Sequence, residues 1–282
     1  MSKNGIKIGV VAPGSRIEPS LAERVKEIAA SLYPSGKVII HVHPQCFLAC
    51  GHFAGEDTAR ARAFLEVAND ASYDALWFAR GGYGSCRLAA GVSRQLTQAA
   101  RAKTYLGYSD AGSLLAALYG QGFGRVAHGP MPADLAREGG ETAVKRALAF
   151  LVDGEPRAVE ATVSPATLTA AFNITILSEL IGTPWQPDLT GHVLMLEEVA
   201  EHMYRIDRSL FHITSNPDIR RVAGLKLGRC SAIPPNDPDF GQSEEEVIAH
   251  WCRTSGIPYL GRADIGHDAD NKVVPFGKWP PA

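Results

Sequence analysis

Hydrophobic residues in the first half of the chain fall into short runs, separated by longer stretches with helical periodicity. Four such runs stand at Lys7–Val11, Lys37–Val42, Asp74–Ala79 and Lys103–Tyr108. Short apolar runs that end in Gly, Pro or polar residues are typical of buried strands, and strands that alternate with helices form a parallel sheet. The pattern therefore predicts an α/β domain built from βαβ units.

The pattern changes after residue 131. A helix is predicted from Glu141 to Val152, and the Gly and Pro residues that follow it indicate a domain boundary. We therefore expect one domain over residues 1–155 and a second over residues 156–282.

The second half of the chain shows strands and helices without regular βαβ alternation. Its clearest strand is His192–Leu196, which is followed by two glutamates. Its clearest helix begins after Ser243 with the sequence Ser-Glu-Glu-Glu, a capping box.

Composition narrows the class of protein. The 282 residues are 45% hydrophobic and carry a net charge of −2, so the chain lacks the basic footprint of a nucleic-acid-binding protein. No stretch approaches the roughly 20 apolar residues of a membrane span, and no export signal is recognisable. Five cysteines at irregular spacing argue against a disulfide framework. We therefore expect a soluble protein of the reducing cytoplasm.

The sharpest local motif is the turn Leu106–Gly112, which reads Leu-Gly-Tyr-Ser-Asp-Ala-Gly. A Ser on a tight strand-to-helix turn exposes its hydroxyl above the sheet edge, beside free N–H groups at the helix N-terminus. Such a turn needs small flanking residues, and Gly107 and Ala111 supply them. Ser109 is therefore a candidate nucleophile, although a Ser that opens a helix can also serve only as an N-cap.

A glycine-rich loop, Arg80–Gly84, follows the preceding strand. In a parallel sheet both turns open at the same carboxyl edge, so the loop N–H groups could form an oxyanion hole beside Ser109. The loop could instead hold a phosphate, but it lacks the last Gly of the dinucleotide pattern, and no Gly-Lys-Ser/Thr follows. We expect no nucleotide cofactor.

A serine nucleophile needs a base and an acid that orients the base. Of the nine histidines, His267 lies in a polar, Gly-flanked loop from which a side chain can reach a cleft, whereas His128 is expected to be structural. Glu197 and Glu198 end an apolar strand and are candidate acids. Ser, acid and His is an allowed chain order for a triad, but the spacing leaves open whether the three meet.

A second cluster contains metal-ligand side chains: His41, His43, Cys46, Cys50 and His52. The two cysteines could form half of a zinc site, but no second pair follows at the distance that a zinc module needs. The apolar residues among them suit a strand that leads into a packed loop, so we expect no metal here.

Taken together, the motifs resemble the LD-carboxypeptidase family, the S66 serine peptidases that include the murein tetrapeptide carboxypeptidases. The matching segments appear in the family's order over nearly the whole chain. They are Ala12–Ser15, Phe53–Gly55 with Arg60, Ala79–Gly84, Gly107–Asp110, His128–Met131, Ile181–Pro184, Leu196–Glu198, Tyr204–Arg208 and Gly266–His267.

This resemblance implies a catalytic triad of Ser109, His267 and Glu197. Glu197 is preferred over Glu198 because the family's acid directly follows the apolar strand. The fold implied is an N-terminal Rossmann-like domain, similar to class I glutaminases, that carries the Ser, and a C-terminal β-rich α/β domain that supplies acid and base. The active site then lies between the domains, often in a homodimer, and needs no metal or cofactor.

Substrate-binding groups are implied as well. The resemblance assigns the oxyanion to the backbone N–H groups of Gly82 and Asp110. An exopeptidase should also bind the terminal carboxylate, for which the bidentate fork of an Arg is suited. Arg80 is our candidate, with Tyr83 beside it as a further substrate-binding residue.

The reaction implied is hydrolysis of the amide between an L-configured centre and a terminal D-amino acid, which releases D-alanine from murein tetrapeptide in peptidoglycan recycling. Relatives that detoxify microcin-type aminoacyl nucleotides tend to carry extra loop sequence between Ser and acid. The 88-residue interval here is compact, so murein peptide is the favoured substrate. The departures from the family pattern, Ala170–Ile174 and the charged segment 268–277, bear on substrate detail.

Three alternatives remain open. The same triad could act on microcin-like conjugates. The serine turn alone also fits an unrelated α/β-hydrolase esterase with a single domain. Lastly, the protein could bind a ligand without catalysis if the triad residues do not converge.

Overall fold

The computed structural model of the protein describes residues 5–279, which form two sheets with helices packed against them. The strands are β1 (Ile6–Val11), β2 (Val38–Val42), β3 (Ala75–Phe78), β4 (Thr104–Gly107), β5 (Arg125–His128), β6 (Leu168–Asn173), β7 (His192–Val199), β8 (Gly224–Ser231), β9 (Tyr259–Arg262) and β10 (Val274–Pro275). The helices are α1 (Pro19–Leu32), α2 (Asp57–Asn69), α3 (Ala89–Ser93), α4 (Gly112–Gly120), α5 (Gly140–Asp153), α6 (Ile174–Leu180), α7 (Met203–Ser215) and α8 (Glu244–Ser255). The predicted α/β fold class is confirmed.

The first sheet has the strand order β10-β5-β4-β3-β1-β2 and is parallel apart from β10. Its central strands are mostly apolar because helices cover both faces; all four residues of β3 are apolar and buried, for example. The first four strands lie where the apolar runs predict them. None of the helices within residues 5–279 combines the length and apolarity that a bilayer span requires.

The second sheet has the order β6-β7-β8-β9, and all its strands are parallel. Helices α6, α7 and α8 connect successive strands. The expectation that the second half lacks regular βαβ alternation is therefore wrong. The first of these strands hides the pattern, because its buried centre is the small-residue stretch Thr169–Ala171, which is not recognisable as an apolar run.

The segment Val273–Gly277 joins the two sheets. Val274 pairs antiparallel with His128 of β5, while Gly277 exchanges backbone hydrogen bonds of 2.8 and 3.0 Å with Thr169 of β6. A chain segment from the second half thus extends the first sheet. This crossing carries the preceding loop, which contains His267, to the carboxyl edge of the first sheet.

One apolar core runs beneath both sheets. Its aromatic contacts cross between the halves: the Phe276 ring lies 5.0 Å from that of Phe172 in β6 and 5.4 Å from that of Tyr119 in α4. Helix α5 ends at Asp153, and Gly154 follows with a φ of 61°. The domain boundary after residue 155 stays a prediction.

Candidate active site

The turn after β4 holds Ser109 in an unusual conformation. Tyr108 is extended, and Ser109 then has a φ of 59°, in the left-handed region that β-carbon-bearing residues rarely adopt. Such a conformation costs about 1–3 kcal/mol and persists only where the surroundings impose it. Ser109 is the first residue of a short 3₁₀ turn, Ser109–Ala111, and the N-cap position of this turn is Tyr108. The N-cap alternative therefore does not describe this residue.

Close packing explains the small residues of the turn. A β-carbon on Gly107 would lie 2.7 Å from the Phe78 side chain and 3.3 Å from the Ala111 β-carbon. β4 can therefore lie this close to Phe78 of the neighbouring strand only with glycine at this position.

The glycine-rich loop lies directly against the serine. A β-carbon on Gly81 would lie 2.9 Å from the Ser109 β-carbon and 3.0 Å from its Oγ. Gly82 has a φ of 95°, and a β-carbon there would meet the Ser15 hydroxyl at 2.4 Å. The loop can thus follow this path only because both positions lack side chains.

Two buried charged side chains hold this loop, and sequence reasoning missed both roles. The Asp110 carboxylate accepts hydrogen bonds from the N–H groups of Gly84 (3.2 Å) and Ser85 (2.9 Å). Arg60, only 1% exposed, donates to the carbonyls of Pro13 and Gly84. Burial raises the pKa of Asp110, although these hydrogen bonds oppose the shift. The resemblance to the family already drew attention to Arg60, which belongs to one of the matching segments. Its hydrogen-bond partners, Pro13 and Gly84, are distant from it in the sequence, so its role could not be predicted.

Glu197 and His267 meet at the opposite side of the site. His267 Nδ1 lies 2.5 Å from Glu197 Oε2, and both side chains are buried. The other ring nitrogen, Nε2, is buried without a hydrogen-bond partner among the described residues. Burial acts to lower the pKa of His267, but the charge and hydrogen bond of Glu197 outweigh it, and the net pKa is raised above its ordinary value.

Glu198 points away from this pair. Its carboxylate accepts hydrogen bonds from the Asn173 side chain, from the Thr175 amide and hydroxyl, and from the Val199 amide, at 2.5 to 2.9 Å. Burial raises the pKa of Glu198 against the effect of these donors. The residue ties β7 to the start of α6.

Residues of the first half hold the His267 loop in place. Arg137 Nη1 donates to the His267 carbonyl at 2.8 Å, and the Tyr108 ring lies 4.7 Å from the His267 ring. Asn271 Oδ1 accepts from the Gly266 amide at 3.2 Å and contacts His128 Nε2 at 3.3 Å. His128 is buried, and burial lowers its pKa to about 4, which agrees with the expected structural role.

Ser109 and His267 line the same cavity of about 750 Å³. Gly81, Gly82 and Arg80 line it as well. Tyr83 is not among the lining residues; it is 52% exposed, and its ring packs 6.1 Å from that of Phe53. The cavity therefore brings together the candidate nucleophile, the candidate base and the glycine-rich loop.

The histidine and cysteine cluster is engaged elsewhere. His41 contacts the Tyr73 hydroxyl, His43 contacts Glu66, and His52 contacts the Ser15 hydroxyl, at 2.6 to 3.1 Å. Within residues 5–279, no group of three or more His, Cys, Asp or Glu side chains is arranged to hold a metal ion.

Models of a known protein family match most of this chain. Residues 8–129 match the LD-carboxypeptidase N-terminal domain, and residues 169–280 match the LD-carboxypeptidase C-terminal domain. A protein of Synechocystis sp. that carries a carboxypeptidase name is 32% identical over 80% of this chain and 75% of its own. The chain belongs to the LD-carboxypeptidase family. The resemblance recognised in the sequence is thus confirmed, and a carboxypeptidase-type hydrolase is the enzyme class that membership supports.

Other known proteins share the sequence or the fold of this chain. The murein tetrapeptide carboxypeptidase of Pseudomonas aeruginosa is 26% identical over 96% of this chain and 91% of its own. The muramoyltetrapeptide carboxypeptidase of Oxalobacter formigenes shares the fold with a TM-score of 0.75 at 24% identity, over 95% of this chain and 93% of that one. The microcin C7 self-immunity protein MccF, solved with glutamyl sulfamoyl guanosine, shares it with a TM-score of 0.79 at 16% identity, over 97% and 92%. The two-sheet fold is therefore the one shared by these solved structures.

Proposed function

We propose that this LD-carboxypeptidase family member is a serine peptidase that releases the terminal D-alanine from murein tetrapeptide in peptidoglycan recycling. One arrangement carries the proposal. His267 is oriented by Glu197 at 2.5 Å, its Nε2 is buried and unpartnered among the described residues, and it shares a cavity with Ser109 on its strained turn. A serine nucleophile requires a histidine that is held through one ring nitrogen and has no other hydrogen-bond partner at the second, which can then accept the serine proton.

In the proposed mechanism, Ser109 Oγ attacks the scissile carbonyl carbon while His267 Nε2 takes the hydroxyl proton. Glu197 stabilises the imidazolium that forms and keeps the remaining proton on Nδ1. His267 then delivers the Nε2 proton to the leaving amine, and the acyl-enzyme forms. Water hydrolyses the acyl-enzyme with the same histidine as base, which restores Ser109.

The tetrahedral oxyanion is assigned to the N–H groups of Gly82 and Asp110. Support comes from the loop itself, since Gly81 lies against Ser109 and the Asp110 carboxylate holds the loop through Gly84 and Ser85. One donor of this kind contributes about 3–4 kcal/mol to transition-state stabilisation.

Release of free D-alanine from purified murein tetrapeptide tests the proposal. The wild type should release it, and Ser109→Ala should lower kcat by about 10⁴-fold or more while the protein stays folded. Ser113→Ala, at a buried serine of α4 outside the cavity, is the matched control and should keep wild-type turnover. Equal release by Ser109→Ala and the wild type would rule out the assigned nucleophile.

A second candidate substrate follows from the fold shared with MccF, whose structure holds glutamyl sulfamoyl guanosine. The same triad would then cleave an aminoacyl-nucleotide conjugate of the microcin type. An assay with an aminoacyl sulfamoyl nucleoside beside murein tetrapeptide separates the two. We expect turnover of the murein peptide only; turnover of the nucleoside conjugate alone would transfer the assignment to this second function.

Two further expectations belong to the proposal. The protein should act in the cytoplasm, where murein fragments are recycled, and it should form a homodimer, as the family resemblance implies. Sedimentation equilibrium tests the dimer directly: a species of one chain mass at micromolar concentration would contradict it.

A further inference from the structure

We infer that Arg137, and not Arg80, binds the terminal carboxylate of the leaving D-amino acid. The inference rests on the proposed function, because it takes the substrate to be a peptide with a free C-terminus. It adds a specificity residue that the family motifs in this chain do not include.

The chemistry of the leaving group determines on which side of the cavity the terminal carboxylate must bind. The base that removed the serine proton must give it to the leaving nitrogen, so this nitrogen lies at His267 Nε2. In a carboxypeptidase substrate the terminal carboxylate carbon lies two covalent bonds, about 2.5 Å, from that nitrogen. The cation that binds the carboxylate must therefore lie beside His267.

Arg137 meets this requirement. Its Nη1 donates to the His267 carbonyl at 2.8 Å, and its side chain lines the cavity that contains Ser109 and His267. It also lines a second cavity, again together with His267. The guanidinium is thus hydrogen-bonded to the backbone of the residue that protonates the leaving amine in the proposed mechanism.

The guanidinium is preorganised and still has donors to offer. Its Nε donates to Asp134 Oδ1 at 3.0 Å, and Asp134 is itself held by the Tyr108 hydroxyl at 2.6 Å and by the Met131 amide at 2.8 Å. The bonds to Asp134 and to the His267 carbonyl use two of the five N–H groups of an arginine, and a hydrogen bond to the Tyr108 hydroxyl uses one more, which leaves two for a ligand. The side chain is 42% exposed, so a substrate can reach it. A fixed, accessible guanidinium is well suited to bind a carboxylate in the bidentate mode.

Arg80 has a different position. It directly precedes the Gly81–Gly82 loop that we assign to the oxyanion, and its side-chain hydrogen bond is a 3.4 Å contact to the Arg16 carbonyl. The oxyanion and the leaving nitrogen are separate substituents of the tetrahedral carbon. A cation on the oxyanion loop is therefore placed for the acyl part of the substrate and not for the leaving amino acid.

A binding experiment with two ligands tests the inference. In the Ser109→Ala background, dissociation constants are measured for murein tetrapeptide and for the same peptide ending in D-alanine carboxamide. Since a hydrogen bond to a charged group contributes about 1.5–3 kcal/mol, we expect the carboxylate form to bind about 10- to 100-fold more tightly. Adding Arg137→Gln should remove this preference, and Arg137→Lys should restore part of it. Arg80→Gln, the matched control at another arginine that lines the cavity, should leave the preference intact.

The ratio of the dissociation constants of the carboxamide and carboxylate peptides separates the possible outcomes. If Arg137 only positioned His267, the substitution would lower kcat for both peptides and leave the binding preference unchanged, which would overturn the inference. Loss of the preference in Arg80→Gln instead would assign the carboxylate to Arg80 and also overturn it. Failure of the wild type to release D-alanine, with an Arg137-dependent binding preference, would contradict the proposed reaction but not the carboxylate site. Absence of binding by either peptide would overturn both.

Discussion

Adjacent residues of one strand have different roles here. Glu197 and Glu198 lie near the end of β7 and are both buried, at 0% and 2% exposure. Because successive side chains of a strand point to opposite faces, Glu197 meets His267 on one side while Glu198 binds the start of α6 on the other. Burial alone therefore does not identify the acid of a triad; the strand face does.

The contact between Glu197 and His267 predicts how the activity depends on pH. His267 must be neutral to accept the Ser109 proton, and its pKa lies above the ordinary 6.5 because Glu197 outweighs the effect of burial. Activity should thus fall as the pH drops through this raised pKa. Glu197→Gln should lower kcat by about 10⁴-fold and shift the remaining acid limb of kcat/KM to lower pH.

Glu198→Gln is the control for this prediction. It should lower the free energy of unfolding by about 1–3 kcal/mol, since it disturbs a buried acceptor, without moving the acid limb. An acid limb that shifts in Glu198→Gln but not in Glu197→Gln would contradict the assignment of the acid.

At the scale of elements, two loops at the carboxyl edge of the first sheet form the serine side of the site. The loop after β3 packs on the turn after β4, and buried charges fix it there: Arg60 binds the carbonyls of Pro13 and Gly84, and Asp110 binds the Gly84 amide. The geometry of the site thus depends on backbone groups as much as on the side chains of the proposed triad.

Gly81→Ala tests this packing. Gly81 does not need a left-handed backbone, so an alanine is limited only by the Ser109 side chain, 2.9 Å from the added β-carbon. We expect kcat to fall about 100-fold because the nucleophile is displaced, with a loss of about 1–3 kcal/mol in the free energy of unfolding. Gly91→Ala in α3, where an added β-carbon has no neighbour within 4 Å, should keep full activity and gain up to about 1 kcal/mol. Wild-type kcat in Gly81→Ala would contradict the close contact.

At the scale of the whole molecule, the two halves are held together by the C-terminal segment and a common core. Val274 extends the first sheet, Gly277 pairs with the second, and the Phe276 ring packs between them. The base of the proposed triad reaches the nucleophile through this crossing. Stability and activity should therefore depend on the same interface.

We accordingly predict one cooperative unfolding transition. The calorimetric and van't Hoff enthalpies should agree at roughly 200 kcal/mol. Far-UV circular dichroism and tryptophan fluorescence, recorded on the unaltered protein, should report the same midpoint. Two transitions with separate midpoints would show that the halves unfold independently and would contradict the common core.

Local features of the sequence predicted much of this. The strands of the first half follow from their apolar runs, and the Ser243 capping box is present as predicted. The serine turn was recognisable because its requirements, small residues around Ser109, lie within a few positions. The ordered motifs gave the family. Predictions succeeded where the determining contacts are close in sequence.

Other features required the tertiary structure. The small residues of β6 concealed a regular βαβ pattern, because a central strand is defined by burial between neighbours and not by its own hydrophobicity. The partnership of Glu197 with His267 spans 70 residues, and that of Arg137 with the His267 carbonyl spans 130. The sequence by itself determined the residue types and local turns of the site. The tertiary structure decided which of these residues meet, through the segment that joins the two sheets and the core that they share, since such contacts depend on the path of the whole chain.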